Sequence, residues 1–289
     1  MTESVTGIIV IDKPAGWTSF DVAAKLRGVY HERHVGHGGT LDPMATGVLP
    51  VFLGRATRAI SFFEDADKEY IAGLRLGMET DTEDVTGTVL AEHPVSVTRE
   101  QVAAALAAMV GPQLQTPPMY SAIKINGQRL YHLARQGQSV ERQPRPVVFH
   151  ELELLDGADY RFRIRCSKGT YVRTVCADLG RTLGCGGCMS SLRRTRAGRF
   201  SIAQAVTMDE LLAAEDPTAL LLPIDVMFDD CPAVTVTGDA ERRLRCGNEL
   251  PGFGAADGRC RIYGADGTFL ALGEGCGGTL RPIKSFFEV

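Results

Sequence analysis

The sequence lacks several features that mark common functional classes. It has no apolar run of the roughly 18 residues that a membrane-spanning helix requires, so none is expected. No basic segment followed by an apolar segment opens the chain, so we predict no secretory signal. The phosphate-binding pattern G-x-x-x-x-G-K-[ST] is absent, and no G-x-G-x-x-G follows a predicted strand. These absences argue against membrane proteins, secreted proteins and enzymes that use nucleotide cofactors.

The composition is that of an ordinary globular protein. The 289 residues are 44% hydrophobic and 23% charged, values typical of globular folds. This length suits one large domain or two unequal ones, and it requires no disulfide or metal for stability. Because no secretory signal is predicted, the eight cysteines are expected to be free thiols in the reducing cytoplasm.

Two patterns of histidine and cysteine could suggest a metal site, and we predict none. His31, His34 and His37 form H-x-x-H-x-x-H, but His37 lies in a glycine-rich segment and no acidic partner is evident. Cys185 and Cys188 form a single C-x-x-C, without the second pair that a zinc ribbon requires.

Charge is unevenly distributed along the chain. The net charge is −4, yet residues 161–199 contain ten lysines and arginines and one acidic residue. Residues 120–145 contain five basic residues and one acidic residue. Such segments can bind a polyanion, and they can equally be solvated basic surfaces. Charge alone therefore leaves both interpretations open.

Hydrophobic patterns predict an α+β fold with a mixed, largely antiparallel sheet and flanking helices. Thr98 and Gln101 form a capping-box pattern before an alanine-rich helix that Gly111 would end. In Tyr160–Cys166 apolar residues alternate with arginines, so the arginines should line one face of a strand. The other predicted strands are residues 7–14 and 70–76. The predicted helices are residues 17–29, 98–110 and 170–183, and Thr18 or Ser19 would cap the first of them.

The chain changes character near residues 222–232, where proline, aspartate and phenylalanine interrupt it. Residues 233–289 combine short alternating runs with many glycines, which is typical of a small β-rich module. We therefore predict a larger domain at 1–228 and a small β-barrel module at 229–289. Seven basic and seven acidic residues balance over 231–289, so charge gives this module no clear polyanion-binding surface.

Residues 35–50, V-G-H-G-G-T-L-D-P-M-A-T-G-V-L-P, form the most unusual segment of the chain. Its glycines allow another molecule to approach the backbone closely. Pro43 favours an extended conformation at Asp42, so that its carboxylate would project from a turn. The same dipeptide is also a common helix start, with Asp42 as the N-cap and Pro43 as the first helical residue. The spacing leaves both interpretations open.

This segment carries a resemblance to a known family. Residues 36–47, G-H-G-G-T-L-D-P-M-A-T-G, resemble the catalytic signature G-H-x-G-x-L-D-P-x-A-x-G of the TruB family of pseudouridine synthases. Further segments resemble family motifs in the family's order, and the resemblance covers about residues 7–200. These segments are D-K-P-A-G-W-T-S at 12–19, D-K-E-Y at 67–70, L-G-M-E-T-D-T-E-D-V-T-G at 76–87, P-P-M-Y-S-A-I-K-I-N-G at 117–127, C-S-K-G-T-Y-V-R-T at 166–174 and L-R-R at 192–194.

The resemblance implies a role for individual residues. Asp42 matches the catalytic aspartate, Tyr70 the tyrosine that stacks on the target uracil and takes part in a proton step, and Arg173 the arginine that pairs with the aspartate. His37 matches the histidine that enters the space left by the extruded base. Tyr171 and Leu192 match residues that touch the nucleotide, and Lys13 matches a lysine with a structural role.

The resemblance also implies a function, a partner and an organisation. The expected reaction is isomerisation of uridine 55 in the T-arm of tRNA to pseudouridine, which needs no cofactor or metal because nothing is oxidised and no energy is consumed. A guanidinium beside the carboxylate would keep it ionised. A thumb-like insertion is expected at about 117–147, and the C-terminal module is similar to RNA-binding modules of PUA type. We expect a monomer in the cytoplasm.

Basic residues outside the catalytic motifs are candidates for holding RNA phosphates. Two alternatives to a stand-alone tRNA enzyme remain: a tRNA-binding folding factor with secondary or absent catalysis, and a guide-RNA-dependent enzyme acting on ribosomal RNA. The guide-dependent relatives usually carry longer basic extensions than this chain has. The phosphate-binding candidates are Arg161, Arg163, Arg165, Arg193, Arg194, Arg196 and Arg199 on the sheet, with Lys124, Arg129, His132, Arg135, Arg142 and Arg145 on the thumb.

Overall fold

A computed structural model describes residues 5–125, 127–157 and 159–287. Asn126 of the 117–127 motif lies outside the described residues. The strands are β1 Gly7–Lys13, β2 Val35–His37, β3 Thr46–Leu53, β4 Lys68–Leu76, β5 Met78–Thr80, β6 Val89–Glu92, β7 Gly111–Gln115, β8 Lys124–Ile125, β9 Gln128–Arg129, β10 Arg145–Leu154, β11 Tyr160–Cys166, β12 Gly187–Ala197, β13 Phe200–Ser201, β14 Val206–Thr207, β15 Ala233–Thr235, β16 Leu250–Ala255, β17 Gly258–Tyr263, β18 Phe269–Cys276 and β19 Gly278–Ser285. The α-helices are α1 Ser19–Tyr30, α2 Ile60–Phe63, α3 Arg99–Ala108, α4 Leu130–Arg135, α5 Val172–Thr182, α6 Met208–Ala213 and α7 Gly238–Arg245. The 3-10 helices span Gly54–Ala59, Ile202–Gln204, Pro217–Leu220 and Ile224–Phe228.

The larger part of the chain is built on a ten-stranded sheet whose main path runs β14-β1-β3-β12-β4-β11-β10-β7. Most neighbours are antiparallel, and β12 pairs with β3 and β1 with β14 in parallel. Strand β12 is central: it lies between β3, which follows the glycine-rich segment, and β4, which carries Tyr70. The predicted mixed, largely antiparallel α+β fold is confirmed.

The predicted helices form with local capping interactions. Thr18 caps α1 and Thr98 caps α3, each in a capping box that includes the side chain three residues later. Helix α3 ends at Ala108, before the predicted boundary, because Gly111 opens strand β7 with a φ of 110° instead of closing the helix. Within the described residues, no helix is long and apolar enough to cross a membrane.

The arginines of β11 alternate with apolar residues as predicted. Phe162, Ile164 and Cys166 are buried in the sheet core, whereas the arginines between them point away from it. On the opposite face each arginine pairs with a nearby carboxylate, so the strand presents no bare basic surface.

The second sheet comprises β15–β19 in the order β15-β17-β18-β19-β16. Its own core contains Val236, Leu244, Ile262 and Leu280. A further cluster joins both parts of the chain, since aromatic residues of the C-terminal sheet pack with residues of β1 and β3. The predicted boundary region coincides with the 3-10 helix Ile224–Phe228, which contributes to this shared cluster.

The segment between β7 and β10 departs from the sheet. It contains the short hairpin β8–β9 and helix α4, in the place where the thumb-like insertion is expected. Tyr131 of α4 lies between two guanidinium groups, with Arg129 and Arg135 at 5.9 and 5.6 Å from its ring centroid.

Candidate active site

The glycine-rich segment crosses from β2 to β3 and carries Asp42 at its turn. The backbone N–H of Ala45 donates to the Asp42 carbonyl, and β3 begins at Thr46 without an intervening helix. The interpretation of Asp42 as a helix N-cap is therefore wrong. Gly47 has a φ of 100°, and a Cβ there would lie 2.2 Å from the Arg194 carbonyl oxygen, so only glycine lets β3 approach β12 at this point.

The carboxylate of Asp42 is held by the guanidinium of Arg173, 131 residues further along the chain. Arg173 Nε lies 2.9 Å from Asp42 Oδ2, and Nη2 donates to Oδ1 at 3.5 Å. The Arg173 side chain is 6% exposed and that of Asp42 is 36% exposed. A buried guanidinium thus holds a carboxylate that remains open to the cleft.

The remaining donors of Arg173 are fixed by backbone carbonyls. Nη1 donates to the Thr82 carbonyl at 3.0 Å, and Nη2 donates to the Tyr120 carbonyl at 2.8 Å. Arg173 is the second residue of α5 and lies in its first turn, where the helix dipole slightly disfavours a cation. Its specific partners offset that disadvantage and lock the guanidinium in one orientation.

Asp84 is a second acidic partner that the sequence did not single out. Its side chain is buried, and Oδ2 lies 3.9 Å from Arg173 Nε. Oδ1 accepts hydrogen bonds from the hydroxyl groups of Thr82 and Thr86 and from the Thr86 backbone N–H. The sequence signal that could have revealed this role is the pattern T-x-D-x-T at 82–86. Hydroxyl side chains on either side of an aspartate can hydrogen-bond to one of its oxygens and leave the other oxygen for a cation.

The turn that carries Asp84 is docked on the sheet. Glu83 has a left-handed φ of 63°, its backbone carbonyl accepts from Met189 N–H of β12, and its side chain accepts from the Thr174 hydroxyl beside Arg173. Burial is the main cause that raises the pKa of the Glu83 carboxyl. The turn of Asp84 is thereby hydrogen-bonded both to β12 and to helix α5, which carries Arg173.

Lys13 fastens the turn of Asp42 to the end of β1. Its side chain is 0% exposed, and Nζ donates to the carbonyls of Pro14, Trp17 and Pro43. Burial lowers the pKa of Lys13 from 10.5 to about 8, while the nearby charge of Asp42 acts in the opposite direction. These contacts fit the structural role that the resemblance implied.

Tyr70 lies on β4 and belongs to a core cluster that includes Leu41 and Ala45, which lie on either side of Asp42 in the sequence. It is buried, and it pairs in register with Ile164 of β11 and Arg194 of β12. Burial raises the pKa of the Tyr70 phenol, the charge of Arg194 opposes that rise, and the charge of Asp42 adds to it. Asp42 thus contacts Arg173 and is near enough to Tyr70 for its charge to act on the phenol, although the three residues are far apart in sequence.

The other residues implied by the resemblance surround this group. His37 ends β2, and its Nδ1 is buried without a hydrogen-bond partner among the described residues. Burial, followed by the charge of Arg194, lowers the pKa of His37. Tyr171 is the N-cap of α5, and burial raises its pKa while Asp42 adds a smaller contribution in the same direction. Leu192 of β12 is buried in the core cluster that includes Tyr70.

Several arginines expected to hold phosphates are engaged within the protein. Arg161 pairs with Asp159 at 2.8 Å, Arg165 with Glu151 at 3.1 Å, and Arg163 with Glu153. Arg193 pairs with Asp12 at 2.7 Å, and Arg199 with Asp229. Arg194 is 1% exposed, so its assignment to the RNA surface is wrong. The sequence pattern could reveal the row of arginines but not the acids that neutralise it.

Comparisons with known proteins identify the family of this chain. A family profile described as "TruB family pseudouridylate synthase (N terminal domain)" matches residues 27–172, and one described as "tRNA pseudouridylate synthase B C-terminal domain" matches residues 173–229. The chain is 48% identical to "tRNA pseudouridine synthase B" of Aromatoleum aromaticum, over 97% of this chain and 92% of that protein. It is 44% identical to the protein of the same name in Azoarcus sp., over 97% and 94%. The chain belongs to the TruB family.

A solved structure shares the fold of this TruB family member over nearly its whole length. The match is to "Crystal Structure of a Cbf5-Nop10-Gar1 Complex", with a TM-score of 0.72 and 26% identity, covering 97% of this chain and 85% of that one. The similarity extends beyond the ten-stranded sheet, because such coverage includes the C-terminal sheet. The family resemblance and fold predicted from the sequence are confirmed.

Proposed function

We propose that this protein isomerises a uridine of tRNA to pseudouridine, with position 55 of the T-arm as its target. The observation that carries the proposal is the ion pair in which the buried guanidinium of Arg173 holds the cleft-facing carboxylate of Asp42 beside Tyr70. Family membership and relatives named tRNA pseudouridine synthase B support tRNA as the substrate class. The same names favour a stand-alone tRNA enzyme over a guide-dependent enzyme for ribosomal RNA.

The reaction breaks the N1–C1′ bond of uridine, turns the uracil and rejoins it to C1′ through C5. Asp42 is the catalytic carboxylate in this proposal: it attacks C1′, or it accepts the 2′ proton so that a glycal forms. Both routes require an ionised carboxylate with a free lone pair directed into the cleft. Arg173 supports that state, because its positive charge stabilises the carboxylate and its fixed donors orient both oxygens.

The target nucleotide must leave its stack before Asp42 can reach its sugar. Base flipping costs a few kcal/mol, and stacking on an aromatic ring recovers about 1–3 kcal/mol. Tyr70 forms the floor on which the uracil stacks, with Leu192 and Tyr171 beside it. His37, at the end of β2, enters the space that the base vacates.

The proposal includes partners and location. The enzyme acts as a monomer on the T-arm stem-loop, in the cytoplasm, where the eight cysteines remain reduced. The thumb, about residues 117–147, contributes exposed cations and the Tyr131 ring to RNA binding. Residues 229–289 form a separate PUA-like module, joined to the catalytic domain at 1–228 through the shared aromatic cluster.

The test uses purified protein and a T-arm stem-loop transcript. Pseudouridine is mapped by a chemical adduct that stops reverse transcription, and product is expected at position 55 alone. A matched transcript with cytidine at that position should give no product. Conversion at another uridine, or no conversion of a complete tRNA transcript, would overturn the substrate proposal.

A further inference from the structure

Arg194 is the largest side chain that is almost completely enclosed by the protein. It lies on β12, is 1% exposed, and is in register with Gly47 of β3 on one side and Tyr70 of β4 on the other. Its backbone therefore belongs to the sheet, while its side chain lies beneath the segment that carries Asp42. A charged group at such a position loses most of its hydration, which is costly unless something compensates.

The hydrogen bonds of Arg194 connect both ends of the catalytic turn. Nε donates to the Val48 carbonyl at 2.7 Å, and Nη2 donates to the Gly39 carbonyl at 3.1 Å. Gly39 precedes Asp42 and Val48 follows it, so one guanidinium fixes the two sides of the turn. These bonds satisfy donors, but carbonyl groups carry no net charge.

In the described part of the chain, no carboxylate forms an ion pair with Arg194. The groups near it are mainly cations or neutral: Lys13 at the end of β1, Lys68 at the start of β4, and His37 at the end of β2. Its charge opposes protonation of each of these three groups. By contrast, Arg173 has Asp42 and Asp84 beside it. Among the described residues, Arg194 is thus a buried cation without a carboxylate partner.

The phenol of Tyr70 is the group best placed to carry a compensating negative charge, because Tyr70 is buried and pairs in register with Arg194 on the neighbouring strand β4. A side-chain hydrogen bond and the charge of Arg194 both lower the pKa of Tyr70, against the larger effect of burial. The other charged or titratable groups that face Tyr70 are Cys166 of β11 and Asp42, and both raise its pKa. Among these groups, Arg194 alone favours negative charge on the phenol oxygen.

We propose that Arg194 is a positioning residue that holds the Tyr70 hydroxyl and stabilises negative charge on its oxygen, so that Tyr70 can accept the proton from C5. This inference rests on the proposed function for its chemical step. After C5 has bonded to C1′, the C5 proton passes to the Tyr70 oxygen and the electron pair of the C–H bond stays in the uracil ring. N1 then takes up a proton from water, and the hydroxide that remains removes the proton from the Tyr70 phenol, which completes pseudouridine and restores the phenolate.

A direct test is the titration of Tyr70 in the free protein, without RNA. Tyrosinate absorbance is recorded against pH for the wild type and for Tyr70→Phe, and the difference isolates Tyr70. The same pair of measurements is made in the background of Arg194→Gln and of Arg194→Lys. We expect the Tyr70 midpoint to move to higher pH in Arg194→Gln and to move less in Arg194→Lys, which keeps the charge.

The matched control is Arg75→Gln, which removes an exposed guanidinium from the strand that carries Tyr70. It should leave the Tyr70 midpoint unchanged. Circular dichroism at each pH establishes that the variants remain folded. If Arg194→Gln does not fold, Arg194→Lys still reports the loss of the planar hydrogen-bonding group.

Turnover of the T-arm substrate gives a second readout. For every pH unit by which the Tyr70 midpoint rises, the phenolate fraction at neutral pH falls about tenfold. The rate deficit of Arg194→Lys should therefore shrink as pH rises, and replacing Tyr70 by a more acidic fluorotyrosine should restore rate. A purely structural Arg194 would give a deficit independent of pH and of the fluorine substituent.

The outcomes separate this inference from the proposed function. An unchanged Tyr70 midpoint in both Arg194 variants overturns the role of Arg194, whatever the RNA assay gives. A shifted midpoint together with a wild type that forms no pseudouridine would instead overturn the proposed function. A shifted midpoint with a rate deficit that neither higher pH nor fluorotyrosine relieves would overturn the proton step.

Discussion

Arginines in and around the ten-stranded sheet are used in two contrasting ways. On β11, Arg161, Arg163 and Arg165 are exposed, and each has a carboxylate partner on the same face. Arg194 of β12 and Arg173 of α5 are buried and lie around the cleft. The exposed row was the more conspicuous basic pattern in the sequence, yet its charge is neutralised locally. The charge that acts on the cleft comes from the two enclosed side chains.

The physical difference between these two sets lies in hydration. Exposed ion pairs contribute about 0–1 kcal/mol, because water and salt weaken them and both side chains lose freedom. A buried ion pair is different, since removing one partner leaves the other charge desolvated, at a cost of about 3–5 kcal/mol. Substitutions of the buried arginines are therefore expected to have large effects on activity. Substitutions of the arginines on β11 are expected to have small effects.

Replacing Arg173 should have the largest effect among the cations. Arg173→Met removes the donors that orient both oxygens of Asp42, so we expect the single-turnover rate to fall roughly 10²–10³-fold. Arg173→Lys keeps the charge but cannot make the paired contact, and its rate should be intermediate. RNA binding, measured by filter retention, should change little. A full rate in either variant would contradict the importance of the buried pair.

Asp84→Asn tests whether the second carboxylate positions Arg173. The amide lacks the negative charge that faces the guanidinium, so Arg173 should shift and the rate should fall roughly 10–10²-fold. The control is Glu79→Gln, which removes an exposed carboxylate of β5 that pairs with His93. Equal rates for the two variants would show that Asp84 has no special role.

Local structure was readable from the sequence, and contacts between distant segments were not. The capping box of Thr98 and Gln101 and the alternation along β11 depend on neighbouring residues, and both form as predicted. The contact between Asp42 and Arg173 depends on the order of strands in the sheet, which no local pattern encodes. It was anticipated only through the family resemblance, and Asp84 was missed because hydroxyl partners are common in ordinary turns.

Lys13 is a third buried cation, and its hydrogen bonds go to backbone carbonyls rather than to a carboxylate. Its pKa in the folded protein is about 8, against an ordinary value of 10.5, so the unfolded chain binds more protons between these two pH values. Folding stability of the wild type should therefore rise with pH across that interval relative to Lys13→Met, with a slope of at most about 1.4 kcal/mol per pH unit. Below pH 8 the difference should be constant. Chemical unfolding of both proteins at several pH values measures it, and a flat difference throughout would refute it.

The exposed pair of Arg163 and Glu153 should have the smallest effect. Arg163→Gln and Glu153→Gln are each expected to change the free energy of unfolding by less than about 1 kcal/mol, and increasing salt should reduce the difference further. The double variant should match the sum of the single ones to within a few tenths of a kcal/mol. A loss of RNA affinity in Arg163→Gln alone would contradict the view that the β11 arginines are neutralised within the protein, because it would make them part of the RNA-binding surface.

The most direct test of the central claim is the single-turnover reaction of Asp42→Asn with the T-arm stem-loop. The variant keeps the shape of the side chain but loses its negative charge, so we expect the rate to fall on the order of 10⁴-fold or more while RNA affinity stays within a few-fold of the wild type. That result would also separate an enzyme from a tRNA folding factor whose catalysis is secondary. Pseudouridine formed by Asp42→Asn at a rate near that of the wild type would contradict the account.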